Sequence, residues 1–268
     1  IKYMITIRDY RKVESLDEAW ELNQKRMNRV VGGMLWMKMG TYNVQTAIDL
    51  SGLGLDVIEE DENEFRIGCM VSLRQLELHE GLAQYTDGAM REAVRHIVGV
   101  QFRNLATVGG SIFGRYGFSD VLSLFLALDS YVELHKGGIL PLQEFAKMDY
   151  DRDILVRLIV KKTPAACHYQ SVRATRTDFP ILTCAAAIVD GQYRFSIGAR
   201  PNKAMLVTDT EKMLDGELTE EKMDAFAAWM QAQIHTGSNL RGSAEYRSHL
   251  VKVVTKRALM ALKGGTEC

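Results

Sequence analysis

Short apolar runs alternate with amphipathic stretches in the first part of the chain. The runs at residues 3–8, 29–31 and 47–50 predict three strands. Between the first two, Ser15 precedes apolar positions at helical spacing, which predicts a helix that begins after this residue. The resulting order of strand, helix, strand, loop and strand predicts a compact first subdomain at about residues 1–55.

A mixed pattern follows from residue 56. Four segments predict strands: residues 65–68, 131–134, 139–140 and 154–160. Three segments predict helices: residues 72–80, 88–98 and 120–129. We therefore predict a second subdomain at about residues 56–162, and the two subdomains together form an N-terminal domain at residues 1–162.

The segment Thr163-Pro164-Ala165-Ala166 predicts a domain boundary. Beyond it, three segments predict strands: residues 168–173, 183–189 and 193–199. Residues 219–233 and 244–262 predict two closing helices. The chain is thus predicted to be an α+β protein whose C-terminal domain, residues 163–268, combines a three-stranded antiparallel sheet with helices.

Two diglycine segments are the clearest local signals. One is Val-Val-Gly-Gly-Met-Leu-Trp at residues 30–36, and the other is Thr-Val-Gly-Gly-Ser-Ile at residues 107–112. Each places two glycines after a short apolar run, where a ligand can approach the backbone N–H groups closely. Consecutive inward N–H groups bind anions without a basic side chain. A tight turn or a bulge explains either segment equally well by itself.

Composition and charge narrow the function classes. The 268 residues carry a net charge of −1, which gives no electrostatic reason to expect nucleic acid as a partner. No apolar stretch approaches the ~20 residues of a membrane span. The cysteines at positions 69, 167, 184 and 268 are far apart and form no metal-binding pair. We expect no metal site and reduced thiols in a cytoplasmic protein.

Common nucleotide and hydrolase motifs are absent. The glycine spacing fits neither a Rossmann fingerprint nor a Walker loop, and no nucleophile elbow occurs. Asp120 follows the second diglycine segment by ten residues, at the start of a predicted helix. Its carboxylate can bond a ligand's hydroxyl or N–H groups, or it can simply cap the helix. Trp36, Tyr116 and Phe118 can stack on an aromatic ligand or pack in the core.

Taken in order, several segments resemble one known family, the FAD-binding medium subunit of molybdenum hydroxylases such as xanthine dehydrogenase and carbon monoxide dehydrogenase. The matching segments in the N-terminal domain are Val30-Val31-Gly32-Gly33, Ile48-Asp49-Leu50-Ser51, Arg66-Ile67-Gly68, Gln101-Phe102-Arg103-Asn104-Leu105-Ala106-Thr107-Val108-Gly109-Gly110-Ser111-Ile112 and Ser119-Asp120. Those in the C-terminal domain are Arg176-Thr177-Asp178-Phe179 and Leu240-Arg241-Gly242-Ser243-Ala244-Glu245-Tyr246-Arg247.

The resemblance implies a fold and a cofactor site. The fold is the two-subdomain FAD-binding domain shared with vanillyl-alcohol-oxidase and PCMH-type flavoproteins, with FAD extended between the subdomains. Both diglycine segments would enclose its pyrophosphate, and Asp120 would lie near the flavin or its ribityl chain. The implied FAD contacts are Val30, Val31, Gly32, Gly33, Met34, Leu35, Trp36, Ile97, Ala106, Thr107, Gly109, Gly110, Ser111, Asp120 and Leu155. No catalytic side chain is implied.

The resemblance also implies partners and an electron path. A large subunit would carry molybdopterin and a small subunit two [2Fe–2S] clusters. Electrons would reach FAD from these clusters and leave to NAD or another acceptor, as in xanthine or purine dehydrogenases.

Two alternatives stay open, and a departure from the family pattern motivates the second of them. The first segment continues with Met34 and Leu35, where the family usually has polar residues. The alternatives are a free-standing flavin oxidoreductase with its own substrate site and a scaffold subunit without flavin.

Overall fold

The computed structural model describes residues 4–265. The first sheet in the chain is short and parallel. Strands β1 (Thr6–Lys12), β2 (Arg29–Val31) and β3 (Asn43–Asp49) pair in the order β1-β3-β2. Helix α1 (Leu16–Asn23) lies between β1 and β2 in the chain, and a 3₁₀ turn (Met37–Met39) follows β2. The predicted start of the first strand at Tyr3 lies outside the described residues.

The second sheet has five antiparallel strands. These are β4 (Ile58–Glu60), β5 (Glu64–Gly68), β6 (Ser130–Leu134), β7 (Gly138–Pro141) and β8 (Leu155–Lys161). They pair in the order β4-β5-β8-β6-β7. The hairpin of β6 and β7 is as predicted, whereas β4 was not recognised in the sequence.

Seven helices accompany this sheet. They are α2 (Leu73–Leu78), α3 (Glu80–Tyr85), α4 (Ala89–Arg95), α5 (Val100–Leu105), α6 (Val108–Phe113), α7 (Asp120–Ala127) and α8 (Leu142–Phe145). The helix predicted over residues 72–80 ends at Leu78, because His79 leaves the helical conformation and its side chain caps α3. The segment predicted as a loop at residues 107–112 largely forms α6.

The C-terminal domain has four strands, so the predicted three-stranded sheet was wrong. Strands β9 (Ala165–Val172), β10 (Leu182–Val189), β11 (Gln192–Gly198) and β12 (Met205–Thr208) pair antiparallel in the order β12-β11-β10-β9. Strand β12 is short, and all its residues are half-buried, so it lacks the alternation that identifies a strand. Helices α9 (Glu220–Gln233) and α10 (Ala244–Gly265) complete the domain.

Both faces of this sheet are buried. Along β10, Ala185 and Ala187 contact the core of the N-terminal domain, while Cys184 and Ala186 contact the core beneath α9 and α10. Side chains alternate between the faces of a strand, so a run of buried residues places the sheet between two apolar layers. The C-terminal sheet is therefore packed directly against the N-terminal domain.

Helix α7 is the main element of that contact, and all eight of its residues are buried. Ser123 and Thr183 share a hydrogen bond of 2.9 Å between their hydroxyls. At the end of α7, Arg194 of β11 donates to the carbonyls of Leu126 and Leu128 at 3.2 and 3.1 Å. A cation at a helix C-terminus satisfies carbonyls that lack partners within the helix. The Arg194 bonds fix the C-terminal end of α7, whereas Asp120 lies in its first turn, at the opposite end.

Candidate functional site

The first diglycine segment leaves β2 and offers a row of free backbone donors. Within residues 4–265, none of the N–H groups of residues 32–36 donates a hydrogen bond. The positive backbone angle falls on Met34, with φ 57°, rather than on either glycine. The backbone therefore turns at Met34 with its amides available to an anion.

The two diglycine segments touch each other. A Cβ atom on Gly33 would lie 1.9 Å from the carbonyl oxygen of Leu105, and one on Gly32 would lie 2.7 Å from Oγ1 of Thr107. Glycine is needed in the first segment because the two chain segments approach so closely.

The second diglycine segment differs from the expected cradle of free amides. Thr107 caps α6, and its Oγ1 accepts from the Gly110 N–H at 3.2 Å. The Gly109 N–H donates to the Cys69 carbonyl at 2.8 Å, and that of Ser111 to the Thr107 carbonyl at 3.1 Å. These amides are engaged within the chain, so the free donors lie on the first segment.

A cleft of about 770 Å³ opens beside these segments. Its volume lies within the range of ~300–1,000 Å³ that is usual for ligand and cofactor sites. All fifteen residues that the resemblance implied as FAD contacts line it, including Ile97, Asp120 and Leu155, which are far apart in sequence. Cys69 also lines the cleft, and burial raises the pKa of its thiol to about 12, so it stays protonated.

Asp120 lies on the cleft wall but is bonded inside the protein. Its side chain is 5% exposed, and one carboxylate oxygen accepts hydrogen bonds from the Tyr169 hydroxyl and from Arg173 of the C-terminal domain. Burial raises the pKa of the Asp120 carboxyl, and both bonds oppose that rise. Arg173, which also lines the cleft, donates further to Ser171 and to the Asp178 carbonyl. Asp120 thus joins the two domains at the site.

Aromatic side chains form the wall of the cleft near Asp120. The ring of Trp36 lies 5.4 Å from Phe179, 5.7 Å from Phe118 and 6.1 Å from Phe102, measured between centroids. Tyr116 stacks on Phe118 at 5.2 Å with an interplanar angle of 8°. Trp36 is 39% exposed, so the cluster presents a ring face to the cleft.

Sequence reasoning singled out only part of this wall. Phe102 and Phe179 belong to segments that carry the family resemblance, but they were not predicted as cofactor contacts. Neither adjoins a diglycine pair, and only the fold brings them to Trp36. The segment at residues 150–153 was missed as well. Arg152 in this segment donates to carbonyls at the end of α1, at 2.7 Å to Asn23 and 3.2 Å to Lys25. No local sequence motif predicts such a contact.

The arrangement fits FAD. The free amides at residues 32–36 suit a diphosphate, and a long cleft with an aromatic wall at one end suits a flavin ring. Because Gly33 has no side chain, the backbone at Leu105 can pack directly against it. This contact holds the amides of residues 32–36 in position beside the cleft.

Comparison with known proteins agrees with this geometry. Residues 5–162 match the family described as the FAD binding domain in molybdopterin dehydrogenase, and residues 167–262 match the CO dehydrogenase flavoprotein C-terminal domain. The chain therefore belongs to the FAD-binding flavoprotein subunits of the molybdenum hydroxylases. The family resemblance and the FAD cofactor inferred from the sequence are confirmed.

Individual relatives are distant but cover most of the chain. Protein YgfM of Escherichia coli K12 is 27% identical over 92% of this chain and 93% of its own length. The xanthine dehydrogenase FAD-binding subunit of Escherichia coli O157:H7 is 24% identical over 83% of this chain and 82% of its own. The solved carbon monoxide dehydrogenase of Hydrogenophaga pseudoflava has the same fold, with a TM-score of 0.86 and 22% identity over 96% of this chain and 97% of that one.

Residues 4–265 contain neither a metal-binding cluster nor a membrane-spanning helix. No group of three His, Cys, Asp or Glu side chains is placed to hold a metal ion. Each helix in this part of the chain is too short or too polar to cross a bilayer.

Proposed function

We propose that this chain is the electron-transfer subunit of a multi-subunit, xanthine dehydrogenase-like molybdenum hydroxylase. It has an FAD-binding domain at residues 1–162 and a C-terminal domain at residues 163–268. The free amides of residues 32–36 carry the proposal, because they are a row of donors in the lining of the cleft that a diphosphate can occupy. Bound FAD supplies the exchange between two-electron and one-electron transfer.

The chain's own residues bind and orient the cofactor. The amides of Gly32, Gly33 and Met34 would hold the diphosphate, with Thr107 and the start of α6 behind them. Trp36 and its aromatic neighbours would pack on the flavin ring and exclude water from it. Ile97 and Leu155 form apolar wall on either side. Asp120 holds Arg173 and the C-terminal domain at the site.

The partners follow from the family. We propose a large subunit that binds molybdopterin and a small subunit that carries [2Fe–2S] clusters, with NAD or another molecule as the final electron acceptor in the cytoplasm. The likeness to a xanthine dehydrogenase FAD-binding subunit supports a purine substrate.

The first experiment tests cofactor binding. The purified chain is titrated with FAD, and binding is followed by flavin fluorescence and visible absorbance. We expect stoichiometric uptake by the wild-type chain and weak uptake by a Gly33→Ala variant. A wild-type chain that takes up no FAD would refute the proposal and favour a scaffold subunit.

The second experiment tests the complex. The native protein is isolated through an affinity tag, and its subunits, molybdenum, iron and flavin are measured. Co-purification of two further chains with molybdenum and iron, and NAD-dependent oxidation of xanthine, would support the proposal. A flavin-loaded chain isolated alone would favour a free-standing flavin oxidoreductase, and a complex active on another substrate would refute the purine assignment.

A further inference from the structure

Arg115 is a buried cation without a polar partner. The residue is 1% exposed, and its Nε, Nη1 and Nη2 atoms are all buried without a hydrogen bond. No carboxylate within residues 4–265 forms an ion pair with it. Arginine stays protonated in proteins, so a full positive charge remains at this position.

Aromatic rings surround the guanidinium. Its carbon lies 4.0 Å from the ring centroid of Phe145, 4.9 Å from that of Tyr150 and 5.4 Å from that of Phe113. Each such contact stabilises a cation and offsets part of the cost of its burial. The backbone at Arg115 is also strained, with φ 44°, and the hydroxyl of Tyr150 donates to the neighbouring Gly114 carbonyl. Rings hold the charge in place but do not neutralise it.

The charge lies directly behind the wall of the FAD cleft. Phe113 and Tyr150 both line the cleft, and so do the chain neighbours Gly114 and Tyr116. The closest acids, Asp149 and Asp151, are exposed, so water and salt screen their field. Arg173, the other cation on this wall with a buried side chain, is paired with Asp120. The unpaired cation therefore gives the cleft a positive potential.

We propose that Arg115 raises the reduction potential of the FAD bound in this cleft. The inference rests on the proposed function. The flavin is reduced by two electrons, which come from a partner cluster or, in the test, from dithionite. It takes up one proton at N5, so the ring gains one net negative charge. A nearby positive charge favours that state over the oxidised one. Arg115 thereby makes FAD a better acceptor for electrons without touching it.

The expected effect is large enough to measure. A unit charge about 10 Å away at an effective dielectric of about 20 changes the equilibrium on the order of tenfold. For a two-electron couple, tenfold corresponds to about 30 mV. We expect Arg115→Met to lower the midpoint potential of bound FAD by about this amount, and Arg115→Lys, which keeps the charge, to retain most of the wild-type value.

A matched control distinguishes the effect of a charge beside the cleft from the general effect of removing a buried arginine. Arg194 is also half-buried with an unpaired Nε, but it lies at the far end of α7 and does not line the cleft. Arg194→Met is expected to leave the potential unchanged. Potentials are measured by dye-coupled reduction of the FAD-loaded chain, with circular dichroism to check folding.

Two results would overturn the inference. One is an Arg115→Met protein that folds, binds FAD and keeps the wild-type potential. The other is an Arg115→Lys protein that folds and binds FAD but loses as much potential as Arg115→Met, because the positive charge would then not be the cause. Failure of the wild-type chain to bind FAD would instead refute the proposed function.

Discussion

Replacing Gly33 with alanine is the sharpest test of how the cofactor cleft is built. The added Cβ would lie 1.9 Å from the Leu105 carbonyl oxygen, closer than real Cβ contacts ever come. The obstacle is backbone, so no side-chain rotation relieves it. The two segments must move apart by more than an ångström, and the amides of residues 32–36 move with them.

The structure gives the size of the effect. Overpacking of this kind destabilises a protein by about 1–3 kcal/mol. Alanine also lowers the conformational entropy of the unfolded chain, which stabilises the folded state by at most about 1 kcal/mol. We expect a loss of about 2 kcal/mol in the free energy of unfolding, which lowers Tm by roughly 4–8 °C. Loss of two hydrogen bonds to a charged diphosphate, at about 1.5–3 kcal/mol each, weakens FAD binding at least about 100-fold.

Two further glycines supply controls for the assay, which combines thermal unfolding with FAD titration. A Cβ on Gly264 in α10 would meet nothing within 4 Å, so Gly264→Ala is expected to leave FAD affinity unchanged and to raise stability by at most about 1 kcal/mol. A Cβ on Gly32 would meet the Thr107 side chain at 2.7 Å, which can rotate only by giving up its cap on α6. Gly32→Ala is therefore expected to cost about 1 kcal/mol.

The order of the three variants decides the question. If Gly33→Ala is as stable as Gly264→Ala and binds FAD as tightly, then the close approach of the two segments does not shape the site. That result would remove the physical argument for the diglycine.

Three more predictions follow from contacts around the site. Asp120→Leu leaves the buried Arg173 charge unpaired and should cost about 3–5 kcal/mol in urea unfolding, whereas Tyr169→Phe should cost about 1–2 kcal/mol; equal effects would contradict a charge-based role. Burial lowers the pKa of His168 in the folded chain, so the unfolded chain takes up a proton at this residue at a higher pH than the folded chain does. The stability present above about pH 6.5 should therefore fall as the pH drops through the folded pKa. His168→Asn should flatten this dependence in urea titrations against pH. FAD at 100 times its dissociation constant should add about 2.7 kcal/mol of stability to the wild-type chain, and an unchanged Tm would contradict binding to the folded state.

Local patterns predicted most elements because their causes are local. The two C-terminal helices begin close to their predicted positions, and Thr219 caps the first of them through its hydroxyl. The second diglycine segment was mispredicted as a loop, since each glycine costs a helix about 1 kcal/mol. In the structure the Thr107 cap and the burial of Val108 and Ile112 outweigh that cost, and helix α6 forms.

The sequence by itself determined the family and the α+β class, because glycine spacing and short motifs carry that information along the chain. The fifteen FAD contacts it implied all line the cleft, and their role in binding stays a prediction. Tertiary structure alone decided which groups are free to act. The sequence indicates Asp120 as a residue that binds the ligand, whereas in the structure its carboxylate accepts hydrogen bonds from Tyr169 and Arg173. The amides of Gly109 and Gly110 are engaged, whereas those of residues 32–36 are free. Arg115 has no motif at all, and only packing reveals it as an unpaired charge. Hydrogen-bond satisfaction and burial depend on partners distant in sequence, so no local pattern encodes them.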